Sequence, residues 1–104
     1  MTLEELLSEI MGVLSKDPRT IEQRVIKTGE EYGELCEAVC SATKAPGCEY
    51  KGKTIDDIVE EAWDTVICAV SVAIQAKPEM AHYDHARIIR DKLIKWETNL
   101  EKRG

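Results

Sequence analysis

Phenylalanine is absent and aromatic residues make up only 5% of the 104-residue chain, so Leu, Ile, Val, Ala and Met must fill the interior, a palette suited to helix packing. Long apolar runs are missing too. The longest, Val66 to Ile74, contains Ser71 and is too short to cross a bilayer, so no membrane partner is expected. The opening residues, Met1-Thr2-Leu3-Glu4-Glu5, carry no basic stretch followed by an apolar segment and a small-residue cleavage site, and the expected location is cytoplasmic. Cys36, Cys40, Cys48 and Cys68 lack the paired CxxC spacing of a zinc site and are expected as free thiols. Basic residues are the minority, 14 Lys and Arg against 20 Asp and Glu for a net charge of -6. Without a concentrated basic patch or an aromatic platform, nucleic acid is not an expected partner. Cations are, and carboxylate-bound magnesium can invert the local field and draw in phosphate.

What is present is helical periodicity. The length fits a single domain over residues 1–104. Thr2 and Glu5 form a capping-box pattern ahead of Leu3, Leu6, Leu7, Ile10, Met11 and Leu14, a first helix that Asp17-Pro18 ends. A second begins near Thr20 and runs towards Ala42, with its apolar face expected near Ile21, Tyr32 and Val39 and with Gly29 and Gly33 inside it. Glycines beside a dense charge cluster hint at a close approach to the backbone. Lys44 to Lys53, with Pro46, Gly47 and Gly52, reads as the one substantial loop, separating two helical hairpins. Thr54 and Asp57 cap a third helix that ends before Pro78, and its second half is apolar on all sides. Such a helix needs cover on more than one side, which predicts an oligomer, a homodimer or a dimer of dimers. A fourth helix from about Glu79 presents Ile89, Leu93, Trp96 and Leu100 as a stripe and should fray over its last residues. The expectation is an all-α, four-helix bundle-like fold.

Glu31-Tyr32-Gly33-Glu34 and Glu61-Ala62-Trp63-Asp64 share one layout, two acids three residues apart. Positions i and i+3 are neighbours on a helix surface, so each pair makes half a site. Two halves facing each other supply the oxygen-rich cage that magnesium prefers. Glu31 falls at the margin of the apolar face. Asp64 lies on a stripe with Asp57, Glu61 and Cys68 that climbs into the apolar segment, so its burial is expected. An unpaired buried carboxylate is costly, and a second acid one turn away favours a metal over protonation. Acid pairs also occur on solvated faces, where Lys27 with Glu31 would be an ordinary i,i+4 pair. Glu30, Glu37 and Glu60 lie further from the apolar faces and read as surface charge. His82 and His85 follow Pro78, away from the acids in sequence, and are expected at the surface.

Lys27-Thr28-Gly29-Glu30-Glu31-Tyr32-Gly33-Glu34-Leu35-Cys36-Glu37-Ala38 resembles the K-x-x-E-E-x-x-E-L-x-x-A signature of the MazG-like, all-α nucleoside triphosphate pyrophosphohydrolases. Glu60-Glu61-Ala62-Trp63-Asp64 is similar to their second signature, E-E-x-x-D. Lys95-Trp96-Glu97-Thr98-Asn99-Leu100-Glu101-Lys102 resembles a K-x-x-x-N-x-x-R/K segment that some members use near the nucleotide. Lys92, Lys95, Asn99 and Lys102 share a face.

The resemblance spans roughly Glu22 to Lys102. It implies a MazG-type fold and hydrolysis of a nucleoside triphosphate to monophosphate and pyrophosphate, as in clearing of the nucleotide pool. It also implies Mg²⁺, with Mn²⁺ as a substitute, held by Glu31, Glu34, Glu61 and Asp64 as the catalytic set. Lys27, Lys95, Asn99 and Lys102 would contact the nucleotide or its phosphates. A departure at Ala62-Trp63 and Thr65, where small residues and Leu are usual, bears on pocket shape. The alternatives are a phosphoribosyl-ATP pyrophosphohydrolase, whose signature is closely related, and a non-catalytic helical adaptor whose acids serve solubility.

Overall fold

Thr20 begins the segment that carries the first acid pair. Its hydroxyl accepts from the Gln23 backbone N–H at 3.2 Å while the Gln23 side chain accepts from the Thr20 N–H at 2.8 Å, a complete capping box. A computed structural model of the chain describes residues 1–47 and 49–103. The described residues form α1 (Leu3–Leu14), α2 (Ile21–Ala42), a 3₁₀ turn (Glu49–Lys51), α3 (Ile55–Ala76) and α4 (His82–Arg103), with no strand among them. The fold is all-α. Cys48, expected as a free thiol, lies outside the described residues; Cys36, Cys40 and Cys68 are free.

The other caps behave as the sequence indicates. Thr2 accepts from the Glu5 N–H at 3.1 Å, and the Asp57 carboxylate accepts from the Thr54 N–H at 2.7 Å. That bond and a second one donated by the Thr54 hydroxyl at 3.1 Å hold the Asp57 carboxyl below the usual carboxylate range. The last helix differs at its start. Lys77 to Ala81 form a turn, so α4 runs from His82, rather than near Glu79, to Arg103.

The helix partners also differ from the expectation of two sequential hairpins. α2 packs against α3, and α1 packs against α4. Two compact units result, Arg19–Ala76 and the pair Met1–Pro18 with Lys77–Gly104. In the second unit α1 spans 12 residues against 22 for α4. Leu7, His85 and Ala86 are its buried residues, and Arg90 pairs with Glu4. His85 is therefore buried, not superficial as its sequence position suggested. The Leu93, Trp96 and Leu100 stripe stays exposed, because a short α1 covers only part of a long α4.

In the Arg19–Ala76 unit, ties at both ends set the register of α2 on α3. At one end Arg24, 5% exposed, donates from Nε to Gln75 Oε1, and Gln75 Nε2 donates to the Arg19 carbonyl at 3.1 Å. At the other the Ser41 hydroxyl accepts from the Lys53 N–H at 2.9 Å. The buried residues of α2 are Arg24, Glu31, Ala38 and Ser41, a line at heptad spacing on one side of the helix. Tyr32 and Val39, expected on the inward face, are exposed. The reason is that the apolar residues of α2, Val25, Ile26, Tyr32 and Val39 among them, are spread over more than one side of the helix, and Arg24 is drawn inward by a partner on α3. Ala38, fully buried, has no side chain long enough to hold the helices apart.

The second half of α3 keeps Val66 and Ile67 exposed. Gly29 and Gly33 face open space, since a Cβ on either would meet nothing within 4 Å. Among the described residues, nothing makes the close approach that they hinted at. In the α2–α3 loop, Gly47 and Gly52 take φ values of 87° and 66°, a region that glycine enters at little cost.

Candidate functional site

Antiparallel pairing of α2 with α3 brings acids from both motifs to one level of the hairpin. Glu31, Glu34 and Glu61 each offer a carboxylate oxygen within 4.8 Å of the others. Opposite ligands of an octahedral Mg²⁺ lie ~4.2 Å apart, so these three carboxylates would be close enough to hold such an ion together. Glu31 is only 8% exposed. Its Oε1 accepts from Lys27 Nζ at 3.1 Å, whereas its Oε2 is buried without a hydrogen-bond partner. Glu61 Oε2 is in the same state. A buried carboxylate oxygen with no donor is expensive. Two at one spot, on facing helices, form a donor set of hard oxygens suited to a small divalent cation.

The electrostatics agree. Burial, a hydrogen bond with Glu34, and the charges of Glu34, Asp64 and Glu31, in that order, push the Glu61 carboxyl above its usual range. Like charges resist joint ionisation without a counter-cation. Lys27 is held more firmly protonated by its hydrogen bond and attraction to Glu31, with Glu30 and Glu34 adding to the effect. It supplies one positive charge to a cluster of three carboxyls. The Cys68 thiol, on α3 beyond Asp64, is raised first by burial and then by the Glu31 charge.

Asp64 departs from expectation. It is exposed rather than buried, and the group of converging acids is Glu31, Glu34 and Glu61. The stripe carrying Asp64 does climb into the apolar half of α3, but the residues buried there are Ser71 and Ile74, about two to three turns beyond Asp64, so position on that stripe does not by itself bring burial. Asp64 still lies near enough for its charge to raise Glu61. Glu30, Glu37 and Glu60 are exposed as expected; Glu37 pairs with Lys51 at 3.4 Å.

Lys95, Asn99 and Lys102 belong to α4, in the other unit, and are exposed along with Lys92. Sequence reading missed Arg19 and Gln23, which with Ile26, Lys27 and Glu30 line a cleft of about 260 Å³ along α2. Their i, i+4, i+8 spacing with Lys27 was the available signal. Among the described residues, no helix is long and apolar enough to cross a membrane. The chain matches no known family model, no curated protein sequence and no solved structure.

Proposed function

We propose that this chain is a magnesium-dependent nucleoside triphosphate pyrophosphohydrolase of the MazG-like kind. The observation that carries the reading is the pair of buried, unpartnered oxygens, Glu31 Oε2 and Glu61 Oε2, beside Glu34. Both motifs, notable first for two acids three residues apart, resemble that family's signatures, and Glu31, Glu34 and Glu61 from them converge across one helix pair. Glu31, Glu34 and Glu61 hold the ion in this reading, and exposed Asp64 completes the set from the rim. When bound, magnesium lowers the pKa of water and neutralises charge on phosphate oxygens. Lys27, already beside Glu31, steadies phosphate oxygens.

The enzyme is read as cytoplasmic and as a homodimer. Val66 and Ile67, 44% and 52% exposed in the single chain, favour cover by a second copy. Pyrophosphate release measured over a panel of nucleoside triphosphates and phosphoribosyl-ATP, with millimolar Mg²⁺, tests the activity. The expected result is release from at least one nucleoside triphosphate by the wild type and none by Glu61→Gln. Equal rates for the two proteins, or release from phosphoribosyl-ATP alone, overturn the assignment.

A further inference from the structure

The cleft beside the acid cluster carries a more specific assignment. Arg19, Gln23, Ile26, Lys27 and Glu30 line it, so both cationic side chains of this wall and one amide face a common space. The capping box decides what Gln23 can offer. Its Oε1 is already accepting from the Thr20 N–H, which leaves Nε2, a donor, for a ligand. Lys27 lies 3.7 Å from Glu30 and 3.1 Å from Glu31, so the single acid in the wall is offset by a lysine that also borders the acid cluster. Guanidinium, ammonium and amide N–H groups together form a donor set for an anion rich in oxygens. The cluster of Glu31, Glu34 and Glu61 repels such an anion, whereas the cleft offers it the donors of Arg19, Gln23 and Lys27.

Resting on the hydrolase reading above, we propose that this cleft seats the terminal diphosphate of the substrate, and so the pyrophosphate that leaves, with Arg19, Gln23 and Lys27 as its donors. Substrate then lies along α2, its reacting phosphorus towards the acids and its terminal phosphates towards Thr20. A cation at the acids would also free Lys27 from Glu31, so metal and diphosphate should favour each other's binding.

Gln23→Glu is the discriminating variant. Glutamate at the third helical position preserves the capping box with Thr20, so the helix start survives, but the amide donor becomes a carboxylate. Calorimetric titration of inorganic pyrophosphate in the presence of Mg²⁺ should show affinity weakened about tenfold or more, the scale of a lost charge-assisted hydrogen bond. Arg19→Ala should weaken it similarly. Affinity for a nucleoside monophosphate should be unchanged in both. Unaltered pyrophosphate affinity in both variants overturns the proposal. So does a matching loss of monophosphate affinity, which would put the other end of the substrate here. A protein that hydrolyses no nucleotide yet binds pyrophosphate in a Gln23-dependent way would refute the hydrolase reading while supporting the cleft as an oxyanion seat.

Discussion

Replacing Gln75 with leucine should unfasten one end of the hairpin that holds the acids. Its amide serves two partners, accepting from the buried Arg24 guanidinium and donating to the Arg19 carbonyl. Losing a hydrogen bond from a charged group costs about 1.5–3 kcal/mol, and losing a neutral one about 0.5–1.5 kcal/mol. Leucine recovers part of this through apolar contact, leaving a net loss of roughly 2–3 kcal/mol. For a chain of this size that lowers Tm by roughly 10–20 °C. Urea and thermal unfolding followed by circular dichroism measure it, with Gln75→Glu as the control. Glutamate keeps an acceptor for Arg24 and loses only the donor to Arg19, so it should cost less than about 1.5 kcal/mol. A leucine variant within about 0.5 kcal/mol of wild type, or a glutamate variant as damaged as the leucine one, would refute the view that this tie sets the register.

Two more perturbations follow from the same geometry. The Glu61 carboxyl sits above its usual value of 4.5. Between that value and the higher folded one, the unfolded chain has lost the proton and the folded chain keeps it. Metal-free stability contributed by this group therefore falls as pH rises through the window. Glu61→Gln should be the more stable protein at neutral pH without Mg²⁺, with the advantage vanishing below pH about 4; denaturant titrations across pH check this, and a wild type that gains on the variant as pH rises contradicts it. Ala38→Leu inserts bulk where the side chain is fully buried between α2 and α3, and should cost about 1–3 kcal/mol in urea unfolding; no loss would mean that the helices are not closely packed there.

Helix ends were legible in the sequence because their chemistry is local. Thr2, Thr20 and the Thr54–Asp57 pair cap their helices with partners three residues away, and Pro18 and Pro78 follow two helix ends. The acid motifs were legible for a similar reason, since each i, i+3 pair is fixed by one helix alone. Which helix pairs with which was not. Periodicity marks a face but names no partner, so the packing of α1 on α4 could not be told from two sequential hairpins. The inward side of α2 was hidden because Arg24 is buried through a bond to Gln75, 51 residues away. His85 and Asp64 went astray in opposite directions. One is buried although it follows a turn at the surface in sequence, and the other is exposed although its stripe climbs towards the buried Ser71 and Ile74.

Three carboxyls from two helices are proposed to share one divalent ion, and direct cation titration tests that sharing most plainly. Calorimetry with Mg²⁺, and thermal unfolding at ten times the dissociation constant found, should show saturable binding and stabilisation of about 1.4 kcal/mol for the wild type. Glu31→Gln and Glu61→Gln should abolish both while remaining helical. Wild-type protein that binds no Mg²⁺, or either glutamine variant binding it with undiminished affinity, would contradict the account.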